Sequence, residues 1–134
     1  MLSELVSQPG VIGIGTDLLD QARIEKAVAR HGERFARRIL TDTEYALWQS
    51  RQGNINFLAK QFAAKEALSK ALGCGIAQGV GFHQLEVLRD TLGAPVVNLS
   101  GVAQQRLLQL QGQRAFVSLS DEGQWVQAFA VLAG

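Results

Sequence analysis

The chain has 134 residues, of which 47% are hydrophobic and 19% are charged, with one cysteine and two prolines. This length and composition indicate one globular domain and exclude a disordered chain or a repeat array. Because Cys74 has no second cysteine to pair with, and the chain has two histidines, neither an internal disulfide nor a Cys/His zinc site is expected.

The charge is unevenly distributed along the chain. The net charge is +1, but residues 22–70 carry ten Lys and Arg against five Asp and Glu, which leaves the rest of the chain at −4. Such a basic segment favours an acidic partner, either nucleic acid, a phosphorylated ligand or an acidic protein, and the alternative is a solvated helix face. No apolar run reaches the ~20 residues of a membrane span, and residues 1–10 lack the layout of a signal peptide, so we expect a cytoplasmic protein with no membrane partner.

The first predicted element is a strand. Residues 1–10 are interpreted as an N-terminal extension and residues 11–134 as the single domain. β-branched residues and glycines over 11–15 predict a buried strand that ends at Thr16 and Asp17. Asp17 then either caps the helix that follows or presents a carboxylate at the end of a core strand.

Three short helices are predicted next. Apolar spacing over 19–29 indicates a helix that ends near Gly32, with Arg23, Lys26 and Arg30 on its outward face. A second helical stretch covers residues 35–40. Thr41 and Glu44 then have the spacing of a capping box, in which each side chain bonds the backbone amide of the other, and predict the start of a third helix.

The longest predicted helix covers residues 55–72 and ends at a glycine-rich segment. Leu58, Phe62, Glu66 and Lys70 are spaced by four, so an apolar line continues into a carboxylate and an ammonium group. Taken alone, Glu66 and Lys70 are also the pattern of a surface ion pair. The glycines allow a phosphate to approach the backbone, with Lys65 and Lys70 near enough to neutralise it, although a helix C-cap explains the glycines equally well.

The remainder of the chain is predicted as strands around one helix. A hairpin of residues 82–89 and 95–99, a helix over 101–110, and strands over 114–120 and 125–132 follow in that order. The fold class is therefore α+β, with a largely antiparallel sheet packed against a long central helix. Asp17 and Glu66 are the two carboxylates of interest, and together with the glycine-rich segment they predict a site for Mg²⁺ and a diphosphate.

The order and spacing of the motifs resemble the holo-(acyl-carrier-protein) synthases, a family of small phosphopantetheinyl transferases. The similarity extends over residues 11–132, nearly the whole chain. The segments that carry it are Gly-Ile-Gly-Thr-Asp-Leu-Leu-Asp at 13–20, Arg-Ile at 23–24, Phe-Leu-Ala-Lys at 57–60, Phe-Ala-Ala-Lys-Glu-Ala at 62–67 and Lys-Ala-Leu-Gly at 70–73.

The resemblance implies transfer of the 4′-phosphopantetheine arm of coenzyme A to a serine of apo acyl carrier protein, with release of adenosine 3′,5′-bisphosphate. It implies that Asp17 and Glu66 hold Mg²⁺ as the cofactor, that Lys70 meets the developing charge, and that Glu66 or a metal-bound water accepts the serine proton. The residues expected at coenzyme A are Lys65, Lys70, Gly73, Cys74, Gly75 and Pro95. Those expected to dock the acidic carrier protein are Arg23, Lys26 and Arg30, in a homotrimer whose sites are shared between subunits.

Four positions depart from the usual pattern of the family. Gln61 replaces an arginine, Cys74 a threonine, Ala94 a lysine and Phe116 a histidine. Loss of positive charge near the coenzyme A phosphates predicts weaker coenzyme A binding. The alternatives are a specialised or degenerate paralogue that binds without turnover and a silent subunit of a lipid-synthesis assembly. A nucleic-acid-binding module is disfavoured, because the aromatic residues do not line the basic helices as stacking platforms would and the net charge is nearly neutral.

Overall fold

The structure is a computed structural model that describes residues 10–134. The extension predicted at residues 1–10 lies outside the described residues except for Gly10. The helices are α1 (Gln21–His31), α2 (Glu33–Ile39), α3 (Asp42–Ser50), α4 (Ile55–Ala71) and α5 (Gly101–Gln109). The strands are β1 (Val11–Asp20), β2 (Leu85–Arg89), β3 (Pro95–Leu99), β4 (Arg114–Glu122) and β5 (Trp125–Ala133).

The strands form two antiparallel sheets. The larger sheet has the order β1-β5-β4, and β2 pairs with β3 in a separate hairpin. The inward face of the larger sheet carries Val126, Ala128, Ala130 and Leu132 of β5, all fully buried. The predicted α+β class with antiparallel strands is confirmed, with two sheets where the sequence suggested one.

The long helix α4 is the centre of the core. It packs against β1 and β5 on one side and against β2 of the hairpin on another, and twelve of its residues are buried. Asn54 begins the helix by accepting a hydrogen bond from the amide of Phe57. Because nearly every side of α4 faces protein, its few charged side chains are placed by tertiary contacts.

Two local predictions at β1 are corrected by the structure. The strand does not end at Asp17 but continues to Asp20, because its pairing with β5 extends as far as Asp20 and Trp125. Asp20 is therefore the N-cap of α1 and accepts a hydrogen bond of 2.9 Å from the amide of Ala22. Asp17 does not cap the helix and lies within the strand.

The start of α3 agrees with the sequence prediction, whereas the first strand of the hairpin starts later than predicted. The capping box at Thr41 and Glu44 is confirmed, since each side chain bonds the backbone amide of the other. Residues Phe82–Gln84 form a short 3₁₀ helix, so the strand predicted from residue 82 begins only at Leu85. No helix within residues 10–134 is both long and apolar enough to cross a membrane.

Candidate active site

Strand β1 and helix α4 approach each other closely through two glycines. A Cβ atom at Gly13 would lie 2.5 Å from the carbonyl oxygen of Ala71, and one at Gly15 would overlap the carbonyl oxygen of Ala67. Only glycine permits backbones to pack this tightly. The strand is consequently held against the last turns of α4, which brings Asp17 to the turn that carries Glu66 and Lys70.

Asp17 and Lys70 are in contact here, and Glu66 lies close enough to both for their charges to act on its pKa. The ammonium group of Lys70 donates hydrogen bonds to the carbonyl oxygen of Thr16, at 3.0 Å, and to Oδ1 of Asp17, at 3.2 Å. The side chain of Lys70 is half exposed, while that of Asp17 is largely covered. The arrangement is a small polar cluster at the edge of the core, accessible from solvent through Lys70.

Electrostatics at the cluster act most strongly on Glu66. Partial burial raises the pKa of its carboxyl group, and the negative charge of Asp17 raises it further. The positive charges of Lys70 and Arg23 oppose that rise in pKa. A carboxyl group next to a second carboxylate is the type of donor pair that a divalent cation stabilises, and Mg²⁺ usually takes only one or two protein carboxylates.

Lys65 does not lie at this cluster, and the prediction that it neutralises a phosphate does not fit the structure. Its side chain has no exposed surface. The ammonium group bonds Oε1 of Glu44 at 2.6 Å and the carbonyl oxygen of Phe82 at 2.9 Å. Lys65 precedes Glu66 directly, and because successive helix residues are rotated by about 100°, it points into the core instead of towards Asp17.

Gln61 is also buried and belongs to the same core network. Its Nε2 donates to Oε2 of Glu44, at 2.7 Å, and to the carbonyl oxygen of Val87, at 2.9 Å. Its Oε1 has no hydrogen-bond partner among the described residues. The expectation that position 61 faces a coenzyme A phosphate is therefore corrected, since this side chain is enclosed by protein and faces a carboxylate.

The glycine-rich segment after α4 is the end of the helix. The amides of Gly73, Cys74 and Gly75 bond the carbonyl oxygens of Lys70 and Ser69, and both glycines have positive φ, as in a helix C-cap. These three amides therefore already have hydrogen-bond acceptors within the chain. The cation beside the segment is Arg106 of α5, whose Nε donates to the carbonyl oxygen of Leu72 at 2.9 Å.

A second basic region lies near the start of α4. A cavity of about 500 Å³ there is lined by Arg51, Asn54, Asn56, Phe57, Lys60, Arg89 and Gly93, so none of the described residues that line it is acidic. The guanidinium groups of Arg51 and Arg89 lie 4.7 and 5.2 Å from the centre of the Phe57 ring. Burial and the charge of Arg51 lower the pKa of Arg89.

Sequence reasoning missed this cationic cavity. Pro95, which was predicted to lie at coenzyme A, is at the start of β3 and pairs with Arg89, one of the residues that line the cavity. Its residues come from the end of α3, the start of α4 and the hairpin, and only the fold brings them together. The one available signal was the excess of Lys and Arg over residues 22–70.

The predicted docking residues share one exposed face of α1. Arg23, Lys26 and Arg30 are all exposed. The guanidinium group of Arg23 lies 5.4 Å from the centre of the Phe62 ring. It borders a largely apolar pocket of about 210 Å³, to which α2 contributes a further cation that the sequence did not single out, Arg38.

The outward face of the larger sheet is unusually apolar. It carries five large hydrophobic side chains that are about half exposed or more: Ile14, Leu18, Phe116, Trp125 and Phe129. Phe116 and Ile14 both pair with Val131 of the central strand, so they lie in one row across the sheet. Exposed apolar areas of this kind mark contact surfaces.

Comparison with known proteins gives concordant matches. Residues 13–130 match the family model of the 4′-phosphopantetheinyl transferase superfamily. Over 122 residues, the chain is 50% identical to a holo-(acyl-carrier-protein) synthase of Vibrio cholerae, covering 91% of this chain and 97% of that one. A holo-(acyl-carrier-protein) synthase of an Enterobacter strain is 44% identical over the same shares.

Solved structures agree with the sequence relatives. The holo-(acyl-carrier-protein) synthase of Neisseria meningitidis has a TM-score of 0.82 at 39% identity, covering 92% of this chain and 98% of that one. The Helicobacter pylori holo-(acyl-carrier-protein) synthase, solved in complex with coenzyme A, has a TM-score of 0.78 at 31% identity, covering 89% of this chain and 98% of that one.

Proposed function

The chain belongs to the holo-(acyl-carrier-protein) synthases of the 4′-phosphopantetheinyl transferase superfamily, and on this premise we propose that Asp17, Glu66 and Lys70 form its magnesium-dependent reaction centre. Members of the family transfer phosphopantetheine from coenzyme A to an apo acyl carrier protein. The observation that carries the proposal is the contact of Lys70 with Asp17 where β1 packs on α4, with Glu66 close enough for the charge of Asp17 to raise its pKa.

The donor set suits Mg²⁺. No group of three or more His, Cys, Asp or Glu side chains able to hold a metal occurs within residues 10–134, so Asp17 and Glu66 would be completed by water and substrate oxygens, as is usual for this ion. When bound, Mg²⁺ supplies positive charge that stabilises a diphosphate and its leaving group.

The protein side chains position the reactants and move a proton. The serine oxygen attacks the phosphorus that bears the pantetheine arm, and the bond from that phosphorus to the bridging oxygen breaks to release adenosine 3′,5′-bisphosphate. Glu66 accepts the serine proton through its carboxylate. Lys70 holds Asp17 in place and supplies a positive charge beside the reacting phosphate.

The cationic cavity is our proposed site for the phosphorylated nucleotide end of coenzyme A. Arg51, Lys60 and Arg89 supply three positive charges there, and the planar guanidinium groups match phosphate oxygens in pairs. Stacking on Phe57 holds both arginines in position before a ligand arrives. Burial of the charge of Arg89 beside another cation is a cost that an anion would offset.

The position of this cavity supports sites that are shared between subunits of a homotrimer. Asp17 is on the edge strand β1, whereas Asn56 and Lys60 contact Asp121 on the opposite edge strand, β4. A single molecule of coenzyme A can contact both the reaction centre at Asp17 and the cationic cavity at Lys60 when the β1 edge of one subunit faces the β4 edge of the next. The apolar outward face of the larger sheet supplies the contact surface for such an assembly.

The exposed face of α1 is our proposed docking surface for the acidic carrier protein. Arg23, Lys26 and Arg30 supply charge, and the apolar pocket beside Arg23 supplies a contact for a hydrophobic side chain of the partner. Arg23 also lies close enough to Glu66 to oppose the rise of its pKa. A carrier protein bound here is therefore adjacent to the reaction centre.

The test is the intact mass of an apo acyl carrier protein after incubation with this protein, coenzyme A and Mg²⁺. We expect a gain of one phosphopantetheine, which disappears with a chelator and with Glu66→Gln, while the matched variant Glu25→Gln on the exposed surface of α1 retains the gain. The same samples are analysed for adenosine 3′,5′-bisphosphate.

Two outcomes would contradict the proposal. Full transfer after exhaustive chelation would show that the reaction does not need a metal. Full transfer by Glu66→Gln would show that Glu66 is not the base. Binding of coenzyme A without any mass gain, tested against several carrier proteins, would instead identify a paralogue that binds without turnover.

A further inference from the structure

The core of the protein contains a fully buried ion pair that the proposed reaction does not use. Neither Lys65 nor Glu44 has exposed surface, and their charged groups are 2.6 Å apart. Burial lowers the pKa of Lys65, whereas the charge of Glu44 and its hydrogen bond to the ammonium group raise it. The short distance shows that the ammonium group and the carboxylate are in direct contact.

Each oxygen of the Glu44 carboxylate bonds groups from other elements. Oε1 accepts hydrogen bonds from Lys65 and from the amide of Thr41, at the start of α3. Oε2 accepts from Gln61 of α4 and from the amide of Val87 in β2. One carboxylate thus links α3, α4 and the hairpin.

The pair holds α4 at a fixed rotation about its axis. Gln61 and Lys65 are four residues apart and lie on one face of the helix, so both side chains bond Glu44 from the same side. The ammonium group of Lys65 also bonds the carbonyl oxygen of Phe82. Rotation of α4 would draw a buried charge away from these oxygen atoms, which is strongly unfavourable in the core.

We infer that the Lys65–Glu44 pair is a positioning device for Glu66, the next residue of α4, and sets the direction in which its carboxylate faces Asp17. The inference rests on the proposed metal-binding role of Asp17 and Glu66. Lys65 and Glu44 are positioning residues, since neither is exposed to substrate. Replacement of a buried ion pair by uncharged groups commonly costs little stability, so the role of the pair is geometric accuracy and not stability.

The test compares the double variant Glu44→Gln/Lys65→Met with the wild-type protein. Glutamine keeps one acceptor oxygen for the amide of Thr41, and methionine fills the volume of the lysine stem, so no unpaired buried charge remains. The amide of Val87 loses its acceptor in this variant, and the control variant below accounts for the resulting loss of stability. Binding of Mn²⁺, which accepts the same oxygen ligands as Mg²⁺, is measured by electron paramagnetic resonance without substrates. The melting temperature is measured on the same samples.

We expect the double variant to bind Mn²⁺ about tenfold to 100-fold more weakly, the usual effect of losing groups that orient a metal ligand, with a melting temperature no lower than that of a control variant that loses stability elsewhere in the core. The control is Leu107→Ala, which opens a cavity in the core on α5. It lowers the melting temperature and leaves Mn²⁺ affinity unchanged, so loss of stability alone is separated from loss of position.

The outcomes separate this inference from the proposed function. Unchanged Mn²⁺ affinity in the double variant overturns the positioning role while leaving the reaction centre intact. Absence of Mn²⁺ binding by the wild type, or wild-type affinity in Glu66→Gln, overturns the proposed metal site and this inference with it. Weakened Mn²⁺ binding in Leu107→Ala to the same extent as in the double variant would also overturn the positioning role, because any loss of stability would then produce the effect.

Discussion

Lys65 and Lys70 are five residues apart on one helix, and each is paired with a carboxylate from another element, yet their environments are opposite. Lys65 is fully buried and bonds Glu44 at 2.6 Å. Lys70 is half exposed and bonds Asp17 at 3.2 Å. The first pair joins elements of the core, and the second lies at the candidate reaction centre.

The difference shows that burial, not the residue type, decides what a charged pair does. A pair whose cation is half exposed to water contributes about 0 to 1 kcal/mol to stability, so Lys70 remains free to exchange partners when a substrate arrives. A buried pair loses several kcal/mol when one partner is removed, because the other charge is left unpaired. The buried pair is suited to fixing geometry, and the exposed pair is suited to binding and reaction.

Removal of the buried cation is expected to give the largest effect. Lys65→Met leaves the Glu44 carboxylate unpaired in the core, and we expect the free energy of unfolding to fall by about 3–5 kcal/mol. Urea unfolding followed by circular dichroism measures the change. A loss below about 1 kcal/mol would contradict the expectation that removing the buried cation costs more stability than removing the half-exposed one.

Removal of the exposed cation is expected to act on catalysis and not on stability. Lys70→Met should lower kcat by about 10²-fold to 10³-fold, the range seen when a group that stabilises developing charge is lost. The free energy of unfolding should change by about 1 kcal/mol or less. Steady-state transfer to the carrier protein and urea unfolding of the same samples check both parts, and an unchanged kcat would exclude Lys70 from the reaction.

Arg89 in the cationic cavity combines features of the two lysines, because it is partly buried and is also proposed to bind a ligand. Arg89→Met should raise the KM for coenzyme A by about tenfold, in line with the loss of one charge-assisted hydrogen-bonded contact of about 1.5 kcal/mol or more. The KM for the carrier protein should stay the same. Equal increases in both KM values would indicate disruption of the fold instead of loss of a phosphate contact.

The smallest effect is expected on the fully exposed face of α1. Lys26→Glu/Arg30→Glu should raise the KM for the carrier protein several-fold at low salt, and the difference from wild type should shrink as salt screens the charges. Arg23 is left unchanged because its charge also acts on Glu66. A KM that is independent of both the substitution and salt would exclude this face as the docking surface.

The sequence predicted much of the candidate site because its signals are local. The capping box at Thr41 and Glu44 was recognisable from spacing alone, since both partners lie within one helical turn. Glu66 and Lys70 were placed on one face by helical periodicity. Asp17 was selected from its strand, although the strand continues to Asp20 and the cap is formed there.

Predictions that depended on the direction in which a side chain of α4 points were less successful. Lys65 was expected near a phosphate because it precedes the glycine-rich segment, and position 61 was expected there because Gln61 replaces an arginine of the family. Each faces Glu44 instead, since a single helical residue changes the direction of a side chain by about 100°. The cationic cavity was not predicted, because Arg51, Lys60 and Arg89 converge only through the packing of the hairpin against α4.

The sequence by itself determined the α+β class, the order of the helices and strands, the family and the three side chains of the candidate reaction centre, because periodicity, capping and motif spacing are properties of nearby residues. The tertiary structure decided which cations are buried and which are exposed. Packing of the hairpin and α3 around α4 encloses Lys65 beside Glu44 and leaves Lys70 at the solvent edge with Asp17. Burial depends on elements distant in the chain, and no local pattern specifies it.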